Sequence, residues 1–420
     1  MLCVVLLAGW IALQGAGPSE PDTDPVSDIV RDLPADVDVT AGMATPSDFD
    51  VFSWESFLAL NAPADETALS DAPDHEPVWA TWMEDFQILV GDGQVPPPWG
   101  APRSIPAACR ALATDTQITR VLTHTAKTAG VVNLFEQAQA GPLIDQNGAY
   151  VRYEILVNAP MYDYIVDNRL YNLTGLNGFG RIEFPSGNLR TGDIGAIMIK
   201  AAWKVMGAGD DPTRFHVTQA YVVDPKAQSC ATERLGLVGL HISTKTLSAP
   251  QWIWSTFEHV DNVPDRGTIT PRAHYNFFDP DCDLKRPGHC VENAMPALPW
   301  SPDRPGQMPA QITRVTPIGV VTATLNAKYQ ALLRDANPLS VWANYMLVGT
   351  QFPQLPGDRT DPTGRAFPQS LSNTTLETFL QGDTPPVSSS CVGCHNRATT
   401  TASAKPSDFT YILSRVTAKY

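Results

Sequence analysis

The sequence predicts an α+β fold: a central, largely antiparallel or mixed β-sheet with flanking helices and a small helical segment at the C-terminus. Three observations carry that expectation. Between residues 150 and 260, apolar and polar residues alternate with a period of two over several short runs. On either side of this block, apolar residues recur at intervals of three and four, the spacing of one helix face. Finally, 37 prolines and 29 glycines in 420 residues demand many turns and long loops, while a hydrophobic content of 43% is enough for a sizeable core. The net charge of −15 argues against nucleic acid and anionic membrane surfaces as partners and leaves neutral or basic ones.

In chain order, Leu2 to Leu13 is an apolar run broken at Gly9 and followed by Gly15, Ala16 and Gly17. Residues 1–17 therefore read as a secretory signal peptide, too short for a stable membrane span, although no Lys or Arg precedes the run; a buried N-terminal helix is the alternative. Residues 18–48 are acidic and proline-rich and read as a flexible leader. The body is expected over 49–370. Its first helix spans Phe52 to Asn61, with Ser53 as cap before Glu55, and a second amphipathic segment spans Val78 to Leu89 and stops before Pro96. A further helix is expected between Thr116 and Ala140.

Strands are expected at Val151–Val157, Ile197–Val205, Phe215–Val223, Leu235–Ser243 and Pro250–His259. The fourth is apolar on both faces and is the candidate central strand. Residues 260–318 read as loop. A helix follows at Thr324–Asn337, with Leu325, Tyr329, Leu332 and Leu333 on one stripe, and then a strand at Val341–Phe352. In the C-terminal segment, 371–420, Thr374-Thr375-Leu376-Glu377 fits a capping box for a short helix, and Phe409, Ile412, Leu413 and Val416 fit one face of a last helix.

That segment contains Cys391-Val392-Gly393-Cys394-His395. Two thiols three positions apart on a helical turn can add to the two vinyl groups of a haem, and the histidine that follows can turn its imidazole onto the iron. A redox dithiol would call for a βαβ pattern around the motif and a zinc site for four ligands; neither a βαβ pattern nor a second Cys-x-x-Cys is present. The expected cofactor is one covalent haem c, bound through Cys391 and Cys394 with His395 as proximal ligand. Because such attachment takes place outside the bacterial inner membrane, the motif and the apolar leader agree on a periplasmic, exported protein. Of seven cysteines, Cys3 lies in the signal, and removal of the haem pair leaves Cys109, Cys230, Cys282 and Cys290. Cys282 and Cys290 bracket a polar turn that a disulfide would staple, and Cys109 with Cys230 is then the remaining pair.

No Met or His follows His395, so a sixth iron ligand must come from upstream. The candidates are His259, in Phe257-Glu258-His259-Val260-Asp261, and Met346, in Asn344-Tyr345-Met346-Leu347. Glu258 with His259 is alternatively a distal acid–base pair over an open iron, or a structural group bonding loop backbone. His75, His124, His216, His241, His274 and His289 stand alone in the sequence. Trp203, Trp252 and Trp254 read as sheet core, with electron relay as the alternative.

Ser390 to His395 followed by Asp408-Phe409-Thr410-Tyr411-Ile412-Leu413, together with Pro250 to Asn262 and Phe52 to Phe57, resembles a group of exported bacterial monohaem cytochrome c-like proteins. The resemblance covers most of the chain after the signal and implies covalent haem c and a periplasmic location, but no particular substrate. The expected function is electron transfer to a redox partner protein, as part of an oxidoreductase system. Two other classes stay open: a haem enzyme with an open distal iron face acting on a small-molecule substrate, and a haem-based sensor or binding protein.

Overall fold

The computed structural model describes residues 32–38, 45–64, 75–112, 118, 120–122, 142–224, 229–268, 274–296, 300–301, 304, 306–355, 365–382, 389–401 and 405–416. The expected signal peptide, the leader up to residue 31, His124 and the rest of the expected helix beyond residue 122 lie outside them. In chain order the named elements are α1 (Pro46–Leu60), β1 (Met83–Glu84), α2 (Asp85–Ile88), β2 (Arg120–Leu122), β3 (Arg152–Val157), α3 (Ala159–Asp167), α4 (Leu173–Gly178), β4 (Ile197–Val205), β5 (Val217–Asp224), β6 (Ser229–Thr244) and β7 (Ile253–His259). After these come α5 (Cys282–Lys285), α6 (Val320–Ala336), β8 (Tyr345–Pro353), β9 (Ala366–Phe367) and α7 (Cys391–His395).

The fold is α+β, built on one nine-stranded sheet in the order β1-β3-β4-β6-β7-β8-β9, with β5 on β6 and β2 on β5. Every ladder is antiparallel except β2–β5. β6 is the centre: its first half pairs with β5 and its second with β4 and β7. Its run Leu237 to Ile242 is buried on nearly every residue because both faces of the sheet are covered.

One face carries Ile197, Ile199, Leu240, Ile242 and Phe257 and is covered by α1 and α6. There Trp54 stacks on Tyr329, with centroids 5.1 Å apart, and its indole N–H donates to Asn326 Oδ1 at 3.0 Å. Burying each of these large side chains contributes roughly 1.5–3 kcal/mol. The opposite face of β3, β4, β6 and β7 supports the C-terminal segment, whose Val392, Ile412, Leu413 and Val416 are buried with Trp252, Trp254 and Met198. Both expected disulfides, Cys109–Cys230 and Cys282–Cys290, are present. Among the described residues no helix is long and apolar enough to cross a membrane.

Several elements differ from the sequence pattern. α1 begins at Pro46, where the Asp48 carboxylate accepts from the Thr45 N–H at 2.7 Å and hydroxyl at 2.8 Å. Ser53 is thus interior, its hydroxyl bonded to Phe49 O and across the core to Ser255 and Thr350. Residues 32–38, part of the expected leader, lie against the body instead: Val37 is buried beside Phe49 and Phe352, and Asp36 accepts from the Ser248 N–H. The amphipathic run Val78–Leu89 splits into a 3-10 turn, β1 and α2, since Met83 and Glu84 pair with β3. On α6 Leu332 faces outward and Asn326 inward, because Asn326 bonds Trp54 and the Leu347 backbone. The stretch Val341–Asn344 is a 3-10 turn that precedes β8.

The C-terminal segment is less helical than its pattern. Residues 374–380 and 409–416 contribute only the 3-10 turns Thr378–Leu380 and Ile412–Arg415. Asn373 takes the capping role expected of Thr374: its Oδ1 accepts from the Thr375 and Leu376 N–H groups, while Glu377 returns a carboxylate to the Asn373 N–H. Thr374 is occupied elsewhere, donating both its N–H and its hydroxyl to Glu258.

Candidate functional site

The antiparallel register places side chains in rows across the face that supports the C-terminal segment. One row is Ile155, Lys200, His241 and Thr256; the next is Met198, Ser243, Trp254 and Gln351. The rows are two residues apart along the strands, about 7 Å. Ile155, Met198, Lys200, His241, Ser243 and Trp254 form the floor of a cleft of about 970 Å³ of empty space, its open mouth included. Leu371, Glu377 and Leu380 form one wall; Ser390, Cys391, Cys394, His395, Tyr411, Ile412 and Arg415 form the other. Cys391, Cys394 and His395, singled out from spacing alone, therefore line one cavity together.

Local bonds hold the motif in place. Ser390 caps α7, its Oγ accepting from the Gly393 N–H at 3.0 Å and donating to Gln351 Oε1 at 3.1 Å. The same Gln351 oxygen accepts from the Val392 N–H at 2.7 Å, and the Gln351 amide donates to Pro368 O at 2.7 Å. A single glutamine on β8 thus ties α7 to the sheet. Cys391 and Cys394 form no disulfide, and both are half-buried. The hydroxyl of Tyr411 donates to Cys394 O at 2.9 Å.

His395 is oriented from behind. Its Nδ1 lies 2.7 Å from Phe409 O. A carbonyl can only accept, so Nδ1 carries the proton and Nε2 keeps the lone pair, the arrangement typical of a metal-ligating imidazole. The ring packs on Trp254, centroids 4.2 Å apart, and edge-on to Tyr411 at 5.2 Å. Phe409 and the preceding Asp408 have φ of 63° and 53°, a conformation that non-glycine residues adopt at a cost of roughly 1–3 kcal/mol each. The turn is held by the Asp408 carboxylate, which pairs with Lys245 and accepts from the Phe184 N–H at 2.7 Å. Burial raises the Asp408 carboxyl above its ordinary value, opposed by Lys245 and that N–H.

The polar groups across the cleft were not singled out in the sequence. His241 Nε2 lies 3.2 Å from Glu377 Oε2, and Lys200 Nζ lies 3.9 Å from Glu377 Oε1. Arg415 pairs with Asp85. Met198 is the cleft's methionine, its sulfur 3.7 Å from the donating Thr410 hydroxyl. The signal for Lys200 and His241 was there in principle: each is a polar residue flanked by apolar neighbours within its strand, and both fall on the cleft face once the register is known.

The structure does not bring the other expected distal candidates to this cleft. Glu258 lies on the same face two residues further along β7, fully buried. Its carboxylate receives Arg314, at 2.9 and 3.3 Å, and both donors of Thr374 at 2.6 Å. Met346 is its cross-strand partner and is half-buried outside the lining. His259 is turned to the opposite face, stacked on Phe215 at 4.0 Å, with Nε2 donating to Arg214 O at 2.9 Å and Nδ1 accepting from the Asp261 N–H at 3.2 Å. Burial pushes its pKa down to about 4. The group is structural, one of the readings its composition allowed. Nor does His241 stand alone, since Glu377 is its neighbour. Trp203 lies on another part of the sheet, its indole N–H on Glu154 at 2.8 Å.

The side chains present fit a covalent haem. Two thiols on one helical turn, an imidazole with its lone pair on Nε2, and apolar side chains from Ile155, Trp254, Leu371, Leu380 and Ile412 all belong to this cleft, whose cations Lys200 and Arg415 are paired with Glu377 and Asp85. Among the described residues no group of three or more His, Cys, Asp or Glu converges as a metal cage. Comparison with protein-family models, with curated proteins and with solved structures returns no match for this chain, so the reading of the cleft rests on its residues.

Proposed function

We propose that the chain is an exported, periplasmic c-type cytochrome that holds one haem c through Cys391 and Cys394, with His395 as proximal ligand, and passes electrons to a redox partner within an oxidoreductase system. The observation that carries this reading is the meeting of the Cys-x-x-Cys-His turn with a cleft, where Phe409 O fixes the lone pair of His395 on Nε2. When bound, the haem supplies reversible one-electron chemistry at iron. The chain does the rest: Gln351 and Ser390 set the position of α7, and the Asp408–Phe409 turn aims His395. The test is the absorption spectrum of protein matured in the periplasm, in both oxidation states. Cys391→Ala with Cys394→Ala is expected to abolish pigment that survives acid-acetone extraction; a double variant that keeps it overturns the reading.

A second reading, a haem-dependent oxidoreductase, is favoured by one observation: His241 and Glu377 put an imidazole and a carboxylate 3.2 Å apart in the cleft wall, suited to moving a proton to or from a small substrate. A low-spin, six-coordinate spectrum supports the carrier. A high-spin spectrum that changes with added cyanide supports the enzyme.

A further inference from the structure

We propose that Trp254, Trp252, Phe184 and Tyr164 form an aromatic ladder that conducts single electrons between His395 and the surface at Tyr164. Each step is short: His395 to Trp254 is 4.2 Å between ring centroids, Trp254 to Trp252 6.2 Å, Trp252 to Phe184 6.0 Å and Phe184 to Tyr164 4.9 Å. The inner rungs, Trp252 and Phe184, are buried to 0 and 1% exposure, so solvent does not interrupt the path. Tyr164 is half-buried, and its hydroxyl accepts from the N–H of Glu183, whose side chain is exposed. Trp and Tyr can be oxidised transiently by one electron, so closely spaced indole and phenol rings divide one long transfer into short hops, with Phe184 as the bridge between Trp252 and Tyr164.

Two further features point beyond ordinary packing. Trp252 has a φ of 70°, in a turn closed by its N–H on Ala249 O at 2.8 Å. A bulky side chain at such a position is a genuine outlier where glycine would relieve the strain. The indole it places there is the rung between Trp254 and Phe184. The strained Asp408–Phe409 turn then binds both ends of the ladder's inner half, since Phe409 O holds His395 while the Asp408 carboxylate holds the Phe184 N–H. His395 and the ladder are thus fixed by one device.

The inner terminus rests on the haem reading, and the experiment separates the two. A ruthenium polypyridyl photo-oxidant is attached to Glu183→Cys, beside Tyr164. A soluble electron acceptor such as hexaammineruthenium(III) takes one electron from the excited label; the oxidised ruthenium then takes one electron from the ladder, leaving a tryptophan radical cation, and in pigmented protein reduced beforehand that radical is refilled by one electron from ferrous iron, which becomes ferric, with no bond made. The expected result is a tryptophan-radical absorbance followed by rapid haem oxidation, both lost in Trp252→Leu and weakened in Phe184→Leu. With the label on Leu339→Cys, exposed on the loop after α6, Trp252→Leu is expected to change neither signal. An unchanged radical signal in Trp252→Leu labelled at position 183, or equal slowing from both labels, overturns the ladder. A protein without pigment overturns the haem reading while the radical absorbance still reports on the ladder.

Discussion

Lowering the pH from 7 to 5 is expected to destabilise the fold by about 2 kcal/mol through His259 alone. The ring is fully buried, and both nitrogens are committed: Nε2–H donates to Arg214 O, and Nδ1 accepts from the Asp261 N–H. A second proton on Nδ1 would face that N–H. Burial is the largest cause of the depressed pKa of about 4, and the Asp261 carboxylate, 3.9 Å away, only partly opposes it. An unfolded histidine titrates near ~6.5. Because the folded pKa lies below the unfolded one, this stabilisation is present above about 6.5 and is lost as the pH falls from there toward 4. At pH 5 the unfolded chain holds the proton and the folded chain does not, and integration over the two pH units gives the ~2 kcal/mol. His259→Gln has no titration. It is expected to cost ~1–3 kcal/mol at pH 7 through the buried groups it leaves unpaired, and its deficit relative to wild type should shrink by the pH-dependent amount at pH 5. Urea unfolding followed by tryptophan fluorescence at both pH values measures this, with every other titrating group cancelling in the difference. Parallel stability profiles for the two proteins between pH 7 and 5 would refute the reasoning.

Two further outcomes follow from the way the C-terminal segment is seated. A Cβ on Gly239 would lie 2.1 Å from Thr375 Oγ1, so Gly239→Ala should destabilise by ~1–3 kcal/mol, and Thr375→Ala in the same chain should recover part of it in a thermal melt. Gln351→Leu removes the acceptor for Ser390 and Val392 and the donor to Pro368. It should reduce the covalently pigmented fraction of purified protein measured by intact mass, whereas Gln351→Glu, which keeps the acceptor, should retain most of it.

The sheet was legible because period-two alternation survives burial: Ile197–Val205 appears residue for residue as β4, and the doubly apolar run within β6 is the central strand. The motif was legible because Cys391, Cys394 and His395 are adjacent in sequence. The far side of the cleft was not. Lys200, His241 and Glu377 meet only through the β4–β6 register and the return of residues 371–380 onto the sheet, and composition carries no register. His259 stayed ambiguous for a related reason: a cluster of polar residues at a strand end looks the same whether it faces a cavity or bonds the backbone of a neighbouring loop. Short helices were over-read where an i, i+3, i+4 pattern, as at Phe409 to Val416, reflects a compact turn packed on one side.

The segment that forms the α7 wall of the cleft is tied to the body by contacts of long reach: Asp408 with Phe184 spans 224 residues and with Lys245 spans 163. The entropy of closing such loops grows only logarithmically, roughly 0.6 kcal/mol per doubling, so the enclosure is thermodynamically inexpensive. In time it is slow, because contacts of high sequence separation form after local ones. The platform of β3, β4, β6 and β7 should therefore exist before α7 docks on it, with Met198 and Trp254 facing water in the interval. For as long as that seam stays open, Cys391 and Cys394 are more accessible than in the half-buried positions they hold in the finished fold.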